Sequence, residues 1–315
     1  MIAALSLALF CGPMEPGQPG QPMQPGLLSG EISVFDRILV DRLASHFATS
    51  HSEAQSKPSS AKSKFTDIRS RFEELSAKND RAGCLALWKE NPEYVLRAID
   101  ADLEGSMRVY ESSSEPDTKK IDAMHKRALW GAEIAAEATG HPIVLDYTSS
   151  FIGWNKDQRA LFRAGQAVYK KAEDAAQKGD HKAALEAGRE CTDRASALGD
   201  WWGAAMGYEA AGDALQSLSE FEQALVAFSR ARILNHDLGL TSSEYSNLRS
   251  MIDMCNVLER WSRGFEATQQ ALEIARKANS KDGVVELLKR RASFEDRLGD
   301  KAAAEATKKE AESAK

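Results

Sequence analysis

Acidic side chains one helical turn apart are the first candidates for chemistry in this chain. Glu209 and Asp213 form one such pair, and Asp296 and Asp300 another. Two carboxylates at this spacing share a helix face and could divide general acid and general base roles. The chain carries 47 Asp and Glu, however, so such pairs recur on any solvated helix face, which is the reading adopted for both. Cys11, Cys84, Cys191 and Cys255 make no Cys-x-x-Cys pair, and the six histidines make no His-x-x-x-His. A zinc site of local spacing is therefore not expected, and neither is a disulfide framework. Gly-x-Gly-x-x-Gly, the phosphate-loop Gly-Lys-Ser/Thr, Gly-x-Ser-x-Gly and His-Glu-x-x-His are all missing. The residues thus predict no catalysis, no cofactor and no metal. A net charge of −6 argues against general nucleic-acid binding, which requires a basic field.

What positions these side chains is a ruler. Ala184, Ala224, Gly264 and Ala304 stand at a constant spacing of forty residues, as do Cys191, Ala231, Ala271 and Ala311. Ala172, Gly212, Ile252 and Ala292 keep the same step, and so do Val168, Tyr208, Leu248 and Leu288. A fixed period of this length marks stacked helical hairpins. Small residues allow two helices to cross closely, and larger neighbours fill the space between ridges. Turns within hairpins are expected at Gly179-Asp180, Ser219-Glu220, Glu259-Arg260 and Gly299-Asp300. Turns between hairpins are expected at Leu198-Gly199-Asp200, Leu238-Gly239-Leu240 and Ala278-Asn279-Ser280. Cys191 and Cys255 fall on core columns and Cys84 on an apolar helix face, where cysteine acts as a small hydrophobe. Trp201-Trp202 opens the second hairpin, with one ring expected between repeats and the other toward solvent.

Tyr208, Gly212, Leu215, Ala224, Phe228 and Ala231 resemble the tetratricopeptide repeat in its order of aromatic, small, large, small, aromatic and small residues. The other three hairpins lose the aromatic columns, with Gly188, Thr268 and Lys308 where Phe228 stands, and the third also has Ile252 where Gly212 stands. The forty-residue step looks like a long-helix form of a repeat usually about 34 residues long. HEAT-like repeats share the longer step but not this column pattern. The resemblance implies an all-α, right-handed α-solenoid of antiparallel helix hairpins over residues 161–315, closed by the polar helix after Asp300. It further implies a concave groove lined by first helices. In the family's register the partner-binding positions are Tyr169, Glu173, Met206, Glu209, Asp213, Arg249, Asp253 and Lys289, flanked by Gln166, Ser246, Glu286 and Ser293. Tyr169 and Glu173 stand where the family's carboxylate clamp needs Lys and Asn, so capture of a peptide C-terminus is not expected. The groove is acidic at its centre, which suits a basic or amphipathic protein segment.

Upstream, residues 119–160 read as a degenerate helical repeat, stopped at Gly140 and resuming at Pro142. Residues 31–118 read as a further helical region: Glu31 to Phe47, a serine-rich linker, and helices from Phe65, Arg81 and Pro92. β-branched residues are sparse and no strand is expected. Residues 1–30 hold an uncharged run, Ile2 to Cys11, followed by a Pro/Gly/Gln-rich tether. The run is too short to span a bilayer and suits the apolar part of an export signal. Together these features resemble a bacterial lipoprotein leader whose basic end is missing, with Cys11 as the lipidation position. The resulting expectation is a non-catalytic protein-interaction scaffold, exported or in the cell envelope, with any membrane contact through the N-terminus. The alternative is a cytoplasmic, peptide-responsive regulator.

Overall fold

The computed structural model describes the backbone of residues 58–314 and the side chains of residues 64–314. The expected leader, Cys11, the tether and the helix from Glu31 lie outside the described residues. Thirteen α-helices follow one another, and no strand occurs among the described residues. They are α1 (Pro58–Ala77), α2 (Arg81–Glu90), α3 (Val95–Glu111), α4 (Thr118–Thr139), α5 (Ile143–Gly153), α6 (Lys156–Gln177), α7 (His181–Leu198), α8 (Trp201–Ser217), α9 (Phe221–Asp237), α10 (Thr241–Val257), α11 (Trp261–Lys277), α12 (Lys281–Arg297) and α13 (Lys301–Ser313). From α7 onward each helix packs chiefly on the one before and the one after, while α6 packs on α7 and α8. The architecture is an all-α solenoid, and the chain is a helical-repeat protein.

The ruler has a finer division than forty. From α8 to α12 every helix has 17 residues. Left-handed residues fall at Gly179, Gly199, Ser219, Gly239, Glu259, Asn279 and Gly299, one every twenty positions. Each sits just past a helix and closes it in the same way. At the first of these turns the N–H of Gly179 donates to the Ala176 carbonyl and that of Asp180 to the Ala175 carbonyl, so two terminal carbonyls are satisfied. The bonds recur at Ser219-Glu220 and Asn279-Ser280. Where the next residue is Asp, it also caps the following helix. Asp180, Asp200 and Asp300 accept from the backbone N–H three residues on, at 3.1, 2.8 and 3.0 Å. α6 starts with a full capping box, Asn155 and Gln158 each bonding the other's backbone.

The small columns are buried throughout: Ala184, Ala224 and Ala304, then Cys191, Ala231, Ala271 and Ala311. The closest approach lies between hairpins rather than within one. A Cβ on Gly207 of α8 would stand 2.7 Å from the Thr192 nitrogen and 2.9 Å from the Gly188 carbonyl oxygen of α7. Gly188 occupies the column that holds Phe228 in the next hairpin, so losing the aromatic ring there admits a backbone instead. In the second hairpin Phe228 packs into the notch left by Gly212. Phe294 does the same against Gly264, and Phe72 against Gly131. Each such ring brings about 1.5–3 kcal/mol of apolar burial.

The helices before α6 keep no such period. Their core is aromatic and charged. Phe72 stacks near Trp88 and Trp130, and Phe151, Trp154 and Phe162 form a second cluster. Indole N–H groups reach backbone carbonyls in other helices, Trp88 to Gly131 at 3.1 Å and Trp154 to Leu198 at 2.9 Å. Asp102 of α3 is buried between two guanidiniums, accepting from Arg69 at 3.0 Å and from Arg127 at 2.8 Å. Glu104, two residues further along, is also buried and bonds Arg163 and Gln166 of α6. Among the described residues no helix is long and apolar enough to cross a membrane.

Candidate functional site

Helices α8, α10 and α12 share one polar face, and the hydrogen bonds across it define its geometry. Glu209 of α8 accepts from the side-chain amides of Asn235 at 2.7 Å and Asn247 at 2.9 Å. Both asparagines are buried. On the next pair of helices Arg249 donates to both oxygens of Glu286, at 3.0 and 3.2 Å. Arg290 bonds Asp253 and also lies 3.6 Å from Glu286. Except for Glu209 and Asn235, the bonded partners are 37 or 38 residues apart, two or three residues short of one repeat. A second ladder runs over the other helices: Arg260 to Glu222, Arg232 to Gln270, Arg263 to Ser229 and Arg276 to Glu310.

This face carries most of the residues expected from the repeat register, but not on equal terms. Tyr169, Glu209, Arg249 and Lys289 occupy one column, forty residues apart. Tyr169 is 1% exposed, Glu209 and Arg249 are half-buried, and Lys289 is exposed. Tyr169 is therefore corrected from a groove position to a core position. The reason lies one turn upstream, where Gln166 donates to Glu104 of α3 at 3.0 Å. The preceding helices cover this end of the face, so α6 has less of it open. Glu173 and Met206 are half-buried, Asp213 is exposed, and Asp253 is half-exposed beside Arg290. The expected acidic centre is in part accounted for internally. Glu209 holds two amides and Asp253 holds an arginine, which leaves Asp213 and Lys289 as the most exposed charges of the set.

Among the described residues the three thiols are buried. Burial pushes the thiols of Cys84 and Cys191 up to about 12 and that of Cys255 up to about 11, so none supplies a thiolate near neutral pH. One serine meets a histidine: Ser106 Oγ lies 2.8 Å from His125 Nε2. The hydroxyl donates to the Leu103 carbonyl at 2.7 Å, so the ring nitrogen supplies the other proton and does not act as a base for Ser106. Ser106 is also buried. Asp200 caps α8 from a fully enclosed position. Burial pushes its carboxyl up to about 7, against the pull of the Gly203 N–H and with the push of nearby Glu104. Trp202 is buried, and the Trp201 indole donates to Asp146 at 2.7 Å, which ties the start of α8 to α5.

Sequence reasoning missed Arg290, Glu286 as a partner rather than a bare groove position, and the two asparagines. The period itself is the signal that finds them. Once the step is forty, opposite charges at separations of 34, 37 and 38 are the pairs that face each other on neighbouring hairpins.

Comparison with protein-family models gives no match, and comparison with curated proteins gives none. Among solved structures the chain is similar to BtubC (BKLC) from P. vanneervenii, with a TM-score of 0.40 and 14% identity, covering 78% of this chain and 90% of that one.

Proposed function

We propose that this chain is a non-catalytic interaction scaffold, a long-helix tetratricopeptide-like array that holds a segment of a partner protein against α8, α10 and α12. The observation that carries the reading is the half-open polar face these helices share. Its side chains recur at the repeat step, and its charges are held in place by bonds between hairpins. Prearranged charges lose little conformational freedom when a ligand arrives, which favours recognition of an extended segment over recognition of a single group. Asp213 beside Met206, with Arg249, Arg290 and Lys289 further along, suits an amphipathic segment that is basic at one end and acidic at the other.

The test is site-specific crosslinking in the native host. A photoreactive side chain at Met206, Asp213 or Lys289 should give the same partner band, and one at Glu266 of α11 should not. The combined variant Asp213→Lys with Lys289→Glu should lose the band while keeping the helical circular dichroism spectrum. These two sites are preferred to Glu209, whose reversal would break its bonds to Asn235 and Asn247. A partner that crosslinks equally well from Glu266, or that survives the double reversal, would sink the assignment to this face.

A further inference from the structure

Three turns that are far apart in sequence meet at the C-terminal end of α9. The turn after α9 carries Gly239, where a Cβ would stand 3.2 Å from the carbonyl oxygen of Pro92, in the connection between α2 and α3. The α4–α5 connection brings His141 to the same place. Its ring stands edge-on to that of His236, with centroids 6.1 Å apart. Its Nδ1 is 3.8 Å from a carboxylate oxygen of Asp237. One ligating atom from each of His141, His236 and Asp237 lies within 4.8 Å of the other two.

We infer that His141, His236 and Asp237 form a binding site for a divalent transition-metal ion, zinc in the first instance. The donor set is two imidazoles and one carboxylate, which suits zinc and its neighbours rather than calcium or magnesium. Tetrahedral zinc with bonds of about 2.0–2.1 Å holds its ligand atoms about 3.3 Å apart. The observed 3.8 Å already approaches this, and rotation of half-exposed side chains supplies the rest. The second shell is in place. Glu244, buried in the first turn of α10, lies with a carboxylate oxygen 3.0 Å from His236 Nδ1. A proton on Nδ1 donated to that carboxylate leaves the lone pair on Nε2, the arrangement that supports a metal-bound histidine. Thr139 fixes the other arm: its hydroxyl oxygen accepts from the His141 N–H at 3.2 Å and donates to the Ala135 carbonyl at 2.9 Å.

The field is right in sign. Asp237 and Glu244 carry two negative charges against the single positive charge of Arg232, 3.9 Å from Glu244. The carbonyl end of α9 adds the negative pole of a 17-residue helix. With three ligands from the protein, a tetrahedral ion keeps one position for water or for a donor from elsewhere. The ion would tie the α4–α5 connection to α9 and so clamp the irregular helices to the second hairpin of the array.

The experiment uses the full chain, free of any histidine tag and stripped with chelator. Calorimetric titration with Zn²⁺ should show a site that weakens at least about tenfold in His141→Ala, in His236→Ala and in Asp237→Asn, and about tenfold in Glu244→Ala. Co²⁺ should give visible absorption of tetrahedral intensity, lost in the same variants. Zn²⁺ should raise the melting temperature of the parent chain and leave that of His141→Ala unchanged. Protection of His141 and His236 from carbethoxylation by Zn²⁺, read by mass spectrometry on the unsubstituted chain, needs no variant to fold. Affinity unchanged by both histidine substitutions, no protection of these two rings, or no Zn²⁺ binding at all would each overturn the site.

Discussion

The helices before α6 and those from α6 onward solve the same packing problem with different chemistry. From α6 onward, small residues at fixed intervals bring helices together, and from α7 each helix depends mainly on its two neighbours. Before α6, helices of 20, 10, 17, 22 and 11 residues meet through buried charge and clustered rings. The difference concerns how cost is spread. A repeating interface divides the stabilisation into similar shares, so damage stays local. An irregular one concentrates it in a few groups, such as Asp102, whose removal takes the buried partner from two cations at once.

That contrast can be broken at its most loaded point. Asp102→Ala takes the buried partner from Arg69 and Arg127 and leaves them only the half-exposed Glu73 as a counter-charge, and should cost about 3–5 kcal/mol. In hydrogen exchange, α1 to α4 should lose protection while α10 to α13 keep theirs. Uniform loss along the whole chain would mean that the two regions unfold as one and that the contrast is false.

The boundary between the regions should respond to pH. The Asp200 carboxyl, pushed up to about 7 by burial, keeps its proton in the folded chain where the unfolded chain has lost it. The folded state therefore binds more protons between about pH 4 and pH 7, and its stability falls as pH rises through that window. The expected decline is on the order of a few kcal/mol, measured by urea unfolding across the range. Asp200→Asn retains an acceptor for the Gly203 N–H and should flatten the dependence. A slope unchanged in Asp200→Asn would assign the titration elsewhere.

The smallest effect belongs to the regular region. Glu259 holds a φ of 55° at a turn where the first and fourth hairpins use Gly179 and Gly299. A left-handed conformation costs a non-glycine residue about 1–2 kcal/mol, and glycine gives part of this back through its freer unfolded chain. Glu259→Gly should stabilise by about 0.5–1 kcal/mol, seen as a higher urea midpoint at unchanged slope. A lower midpoint would show that this turn is held by its side chain and not by its backbone.

How much was legible in the sequence follows the same division. The constant step placed the helix ends and turns from Gly179 to Asp300, because a period is a local property that repeats. It placed Cys191, Ala231, Ala271 and Ala311 in the core for the same reason. It misplaced Tyr169, because the register knows only neighbours in the array and not the irregular helices that cover one end of it. Buried Asp102, Glu104 and Asp200 were illegible, since a charge in a helix is usually solvated and only its distant partner reveals otherwise. His141 and His236 were unreadable as a pair because nothing in sequence links a turn after α4 to the end of α9. The irregular half of the molecule is where sequence and contact are furthest apart.

The left-handed residues at twenty-residue intervals carry one more consequence. Each turn from Gly179 to Gly299 is closed by the same pair of backbone bonds, whatever side chain stands there. The boundaries are therefore interchangeable joints. Excising residues 241–280 would join Leu240 to Lys281 across a turn of unchanged shape, with Leu288 and Ala292 taking the places of Leu248 and Ile252. The length of this molecule is a quantity set in whole hairpins, open to gain or loss by duplication without any new joint having to be invented.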